Sequence, residues 1–222
     1  LWPAGAEFRG PLREPARIVR RIEQPLMDGL LKDAAEGRGA VLWFQAEQGV
    51  GTTTLGGQFL DAARARGFSA AGASASAPDP WQSLLAQMGV ASPGDEPPAL
   101  VAALSGEGAT PVRRALFLDD FESADPGSAS VLDLLCRRIE DLPTPVAVLV
   151  ASRPLAPSPT GERMALHRAL GTVRGMGGVH LLPRLADRDV DILVESMCPF
   201  PCDAEVRARV RAAAEGNPRF AI

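Results

Sequence analysis

Leu42-Trp-Phe-Gln-Ala-Glu-Gln-Gly-Val-Gly51-Thr-Thr-Thr-Leu55 reads as an apolar strand, a glycine turn and the first turn of a helix. That order is the layout of a phosphate-binding loop. The pattern G-x-x-x-x-G-K-[ST] falls on Ala46 to Thr53, where Gly51 keeps the second glycine, Ala46 replaces the first and Thr52 stands where the lysine belongs. Such a loop works because successive backbone N–H groups and a helix N-terminus converge on anionic oxygens, with glycine letting the backbone come close. On this reading Gly49, Val50, Gly51, Thr52, Thr53 and Thr54 line a phosphate, and the Thr53 hydroxyl takes the magnesium position. Losing the lysine removes a charge-assisted contact of about 2 to 3 kcal/mol.

A second apolar run, Ala115-Leu-Phe-Leu-Asp-Asp120, delivers two carboxylates at its C-terminal end. Asp119 is placed to hold Mg2+ and Asp120 to orient an attacking water. A third, Val146-Ala-Val-Leu-Val-Ala-Ser-Arg153, ends in a polar pair, with Arg153 a candidate to reach a terminal phosphate. Helices alternating with continuously apolar strands predict a parallel sheet covered on both faces, with ligands at the carboxyl ends of its strands. Weaker strands are expected over 68–73 and 177–182. Helices are expected over 26–36, 53–66, 81–88, 99–104, 161–170, 187–197 and 203–215, and one from 126 or 128 to 141. Asp79 and Asp187 read as side-chain caps, and Asp125 as either a cap or a loop acid.

Composition narrows the function classes. The 222 residues carry a net charge of -4, with 46% hydrophobic and 23% charged residues, an ordinary globular balance. Nearly all the positive charge is arginine, Lys32 being the only lysine, and no acid-binding face is implied, so direct nucleic-acid binding by this segment is not expected. No apolar run reaches the ~18 residues of a membrane span. Cys136, Cys198 and Cys202 are too few for a disulfide framework and lack partners for a structural zinc, so they read as free thiols in a reducing, cytoplasmic setting.

With these motifs in place, the chain resembles the nucleotide-binding core of the STAND class, the signal-transducing ATPases with numerous domains. The version it resembles is the AAA-like ATPase core of large bacterial transcriptional and signalling regulators, with a degenerate Walker A motif. Val19-Arg-Arg21 resembles the family's Gly-Arg pair near the nucleotide base, Arg21 matching the arginine and Arg20 replacing the glycine. Phe117-Leu-Asp-Asp-Phe-Glu-Ser-Ala-Asp125-Pro resembles its Walker B strand and the segment after it, with Ser123 in place of a tryptophan, and 148–153 its sensor strand. Gly216-Asn-Pro218-Arg-Phe220 resembles the Gly-x-Pro motif that closes a helical lid, whose proline touches adenine.

The resemblance implies an α/β P-loop NTPase fold of AAA/STAND type, organised as an irregular lead-in (1–17), a core (18–183) and a small C-terminal helical lid (184–222). It further implies ATP or ADP with Mg2+ as cofactors, protein partners or self-association, and a longer protein with a winged helix, sensor repeats or a DNA-binding domain elsewhere. Three functional readings stay open on the sequence. One is a regulatory switch with impaired or lost hydrolysis. Another is a slow ATPase in which an arginine, such as Arg153 or one from a partner, replaces the lysine. The last is a nucleotide-free interaction module.

Overall fold

The computed structural model describes residues 15, 18, 20–106, 112–156, 161–198 and 202–221. Most of the expected lead-in (1–17) lies outside them, as does Val19 of the Val19-Arg-Arg21 motif. Five strands form one sheet: β1 (Ala40–Gln45), β2 (Ser69–Ser74), β3 (Arg114–Asp119), β4 (Val146–Ser152) and β5 (Val179–Leu181). All pairings are parallel and the order is β2-β3-β4-β1-β5.

Strands β3 and β4 are buried along their whole length, as their unbroken apolar runs require. The register brings strand ends level, with Gln45 opposite Ser152 and Ser74 opposite Asp119. The loop after β1, the carboxylates after β3 and the polar end of β4 therefore leave the sheet on one edge, where open α/β sheets bind ligands.

The helices are α1 (Glu23–Ala35), α2 (Thr52–Ala65), α3 (Pro80–Gln87), α4 (Pro97–Leu104), α5 (Pro126–Asp141), α6 (Met164–Gly175), α7 (Asp187–Met197), α8 (Ala204–Ala214) and α9 (Pro218–Ala221). One set of strand residues, including Trp43, Leu116, Leu118, Val148 and Val150, packs with α3 to α6 in a single core. The alternate set, Leu42, Phe44, Phe117 and Leu149, is equally buried, so side chains fill both faces. Gly56 of α2 is needed on this second face, since a Cβ there would lie 2.1 Å from the Phe117 ring.

Two compact units result. Of the described residues, the larger takes those within 21–47 and 52–182, and the smaller those within 1–20, 48–51 and 183–222. In the smaller, Leu185, Val190, Leu193, Val194, Met197 and Ala214 of the α7–α8 region form their own apolar cluster.

Several local expectations are corrected. Asp79 precedes α3 in a left-handed conformation and makes no capping hydrogen bond. The cap position of α7 is Ala186, which puts Asp187 inside the first turn, where its charge suits the helix dipole instead. The helix expected over 161–170 begins as a 3-10 turn at Gly161–Arg163 and continues as α6 to Gly175. A further short helix, α9, follows Gly216-Asn217. Asp125 is a true cap, accepting the Ser128 N–H at 3.0 Å and its hydroxyl at 2.6 Å. No helix among the described residues is long and apolar enough to cross a membrane.

Candidate functional site

In the larger unit, α2 opens at Thr52, directly after the glycine turn. The Thr53 hydroxyl donates to Asp119 Oδ2 at 2.5 Å, joining the first turn of α2 to the end of β3. Asp119 Oδ1 accepts the Asp120 N–H at 3.1 Å. Burial pushes the Asp119 carboxyl above the ordinary aspartate value, and the neighbouring Asp120 and Glu122 charges add to this, only partly offset by the Thr53 and Asp120 hydrogen bonds. A buried carboxylate that is costly to ionise beside a hydroxyl is a donor set that suits Mg2+, a hard cation usually bound by one or two protein oxygens plus phosphate. Among the described residues no group of three or more histidine, cysteine, aspartate or glutamate side chains is placed to hold a metal ion.

Asp120 is exposed and has φ 50, ψ 36, a left-handed conformation that aspartate tolerates better than most residues. Ser74 Oγ, at the end of β2, donates to Asp120 Oδ2 at 3.2 Å. Strain of this kind gathers at functional positions, and here it turns the second carboxylate out of the strand.

Arg153 stands at the end of β4 but is already engaged. Its Nε donates to Glu122 Oε1 at 2.6 Å and its backbone N–H to Glu122 Oε2 at 3.0 Å. Burial raises the Glu122 carboxyl, and the Arg153 side chain and backbone more than reverse this, leaving it below the ordinary glutamate range. Glu122 was not singled out in the sequence, because a partner 31 residues away gives no local signal.

In the smaller unit, the loop segment 48–51 is gripped from two directions. Arg20, buried to 9% exposure, donates from Nη2 to Val50 O at 2.6 Å and from Nη1 to Pro183 O at 2.7 Å. Asn217 Nδ2 donates to Gln48 O at 2.9 Å, and its Oδ1 accepts the Arg219 N–H at 3.1 Å. Gly49 has φ +87, and a Cβ added to it would come within 2.7 Å of Arg219 Cβ and 2.8 Å of Asn217 Oδ1. Gly49 therefore admits both a left-handed backbone and the close approach of this segment. Gly51 has φ +99 with open space around it.

The predicted residues thus divide. Thr53 and Asp119 are brought into contact, Val50 is buried and Thr54 exposed, and Pro218 begins α9, half-buried. Arg21 is exposed, and it is its neighbour Arg20 that reaches the loop. Arg20 entered the sequence reading only as a missing glycine, and Asn217 and Arg219 only as neighbours of Pro218.

None of the protein-family models and none of the curated proteins matches this chain. Solved structures do. Drosophila ORC bound to DNA superposes with a TM-score of 0.65 at 13% identity, covering 94% of this chain and 55% of that one. AMPPCP-bound DnaA from Aquifex aeolicus gives 0.60 at 14%, covering 92% and 60%. The Aeropyrum pernix ORC1 protein in complex with DNA gives 0.57 at 17%, covering 93% and 58%. The fold is that of the AAA+ P-loop ATPases. The chain spans less than two thirds of each of those proteins. Two of the three hold DNA, so the expectation that this segment makes no nucleic-acid contact gains no support from its structural neighbours.

The elevated Asp119 carboxyl sets a sign for stability. A group whose folded value lies above its unfolded one adds stability below the unfolded value and loses it as pH rises through the folded value. At neutral pH the ionised Asp119 therefore works against the ligand-free fold. Asp119→Asn is expected to raise the neutral-pH Tm of ligand-free protein and to remove any stabilisation by added Mg2+ and nucleotide. Thermal scans with and without Mg-ADP check both halves, and a lower ligand-free Tm would contradict the account.

Proposed function

We propose that the chain is a nucleotide-binding regulatory module of STAND type, binding ATP or ADP with Mg2+, with hydrolysis weakened by Thr52 and with a lid running from about 184 to 222. The observation that carries this reading is the 2.5 Å hydrogen bond from Thr53 to Asp119, which joins the loop hydroxyl and strand-end carboxylate that a magnesium nucleotide requires. Gly49 to Thr54 would supply backbone donors to phosphate, Thr53 and Asp119 would hold the cation, and Asp120 would orient water. Pro218 and Arg21 are assigned to the base on the family resemblance alone. AMPPCP in the DnaA neighbour supports nucleotide as the ligand class.

The slower-ATPase reading is favoured by one specific observation, the position of Arg219. A Cβ built on Gly49 would meet Arg219 Cβ at 2.7 Å and Cδ at 3.1 Å, so an arginine side chain flanks the glycine turn of the loop, and arginine is the residue type that pairs readily with phosphate. Arg153, held by Glu122, is the weaker candidate for the missing lysine's role. Denaturing the purified protein and chromatographing the supernatant tests the binding reading directly, with retained ADP or ATP expected. Titration with Mg-ADP then ranks the arginines. Arg219→Ala is expected to weaken binding by ~10-fold or more, a charged contact of ~1.5 to 3 kcal/mol, and Arg153→Ala to change it little. No bound nucleotide and no heat at millimolar concentration would leave only an interaction module.

A further inference from the structure

Cys198 and Cys202 play no part in the nucleotide reading. Cys198 directly follows α7 and Cys202 lies just before α8, and both are half-buried against the apolar cluster of the smaller unit. Their sulfurs are 3.4 Å apart. A disulfide needs sulfurs at about 2.05 Å, so an approach of a little over an ångström separates the pair from a covalent bond. In sequence, two of the three residues between them are proline, which has one backbone dihedral fixed even in an unfolded chain, so bringing the thiols together costs less order than in a free loop.

We propose that Cys198 and Cys202 form a dithiol modification site that closes to an intramolecular disulfide by exchange with a low-molecular-weight disulfide. The Cys198 thiolate attacks one sulfur of the external disulfide, whose S–S bond breaks and releases one small thiolate. The Cys202 sulfur then attacks Cys198 in the mixed disulfide, the new S–S bond forms, and the second small thiolate leaves. The protein loses two protons and two electrons, which together are two hydrogen atoms, and the external disulfide takes up both to become two thiols. Burial and contact with Cys198 push the Cys202 thiol up to about 11, which suits it to the second, intramolecular step, where proximity compensates for a small thiolate fraction. Cys136 is a different case: it is buried in the main core and its thiol is pushed up to about 12, so it stays out of the reaction.

The test treats the whole chain with oxidised glutathione at about 0.1 mM, then alkylates it under native and denaturing conditions and reads intact and peptide masses. A local thiol pair has an effective concentration of the order of mM, so Cys202 should close on the mixed disulfide about 10-fold faster than it reacts with a second oxidised glutathione at about 0.1 mM. The expected product has lost two hydrogens, carries a crosslink between Cys198 and Cys202, and keeps Cys136 free. Cys202→Ser should instead stop at the mixed disulfide on Cys198. The proposal is overturned if the native sequence accumulates glutathione on either cysteine without closing, if both thiols remain fully alkylatable, or if the crosslink joins two chains. The native sequence alone decides these outcomes, so they do not depend on the variant folding, and none of them bears on nucleotide binding.

Discussion

Thr52→Lys is expected to bind Mg-ATP about 30- to 150-fold more tightly than the native sequence, the return of a charged contact of about 2 to 3 kcal/mol. Thr52 is the first residue of α2 and half-buried, at the helix end whose partial positive charge already favours an anion. A lysine there adds to that charge, so ligand-free protein should lose ~0.3 to 1 kcal/mol of stability while the complex gains more. Isothermal titration measures the affinity. Turnover should rise further still, since charge builds on the transferred phosphoryl group in the transition state. Phosphate release equal in the two proteins would overturn the view that Thr52 limits hydrolysis.

Arg219 makes this result more informative. If its guanidinium already serves the missing lysine's role, Thr52→Lys alone will gain less than the full range, and Arg219→Ala will cost less in the lysine background than in the native one. That coupling is read by a double-mutant cycle. Identical affinities in all four proteins would mean that this loop holds no phosphate.

The parts of the fold that could be read in the sequence are those where burial leaves no choice. Strands β1, β3 and β4 are apolar on both faces because helices cover both, and such runs announce themselves without periodicity. Strand β2, Ser-Ala-Ala-Gly-Ala-Ser, gave only a weak signal because its small side chains leave room for the packing of Leu60 against Gly72. Thr53 and Asp119 were legible as a pair because each sits at a strand or helix end whose neighbours point the same way. Long-range polar contacts were not legible. The bond from Arg20 to Val50 O spans 30 residues and that from Asn217 to Gln48 O spans 169, and neither leaves a trace in local composition. The caps at Asp79 and Asp187 failed for a related reason: residue type suggests a cap, but only backbone conformation decides which position the residue occupies.

Trp43→Ala should be the most damaging single core change, costing about 3 to 5 kcal/mol and lowering Tm by roughly 6 to 20 °C for a chain of this size. Trp43 is fully buried in the central part of the sheet. Its ring meets Phe121 edge-on, centroids 5.4 Å apart at 89°, and its Nε1 donates to Ser152 Oγ at 2.8 Å. Phe121 directly follows the Asp119-Asp120 pair, and Ser152 directly precedes Arg153, to whose carbonyl its hydroxyl donates at 2.9 Å. One indole therefore braces the carboxylate end of β3 and the cationic end of β4 at once. Removing it opens a cavity under both, so Mg-nucleotide affinity should fall even at temperatures where the variant is fully folded. Trp43→Phe separates the two contributions, since it keeps most of the ring contact with Phe121 and deletes the hydrogen bond, for a cost of about 1 to 3 kcal/mol. If Trp43→Ala binds nucleotide normally while melting early, the indole supports the core alone, and the strand ends are held in place by their own hydrogen bonds.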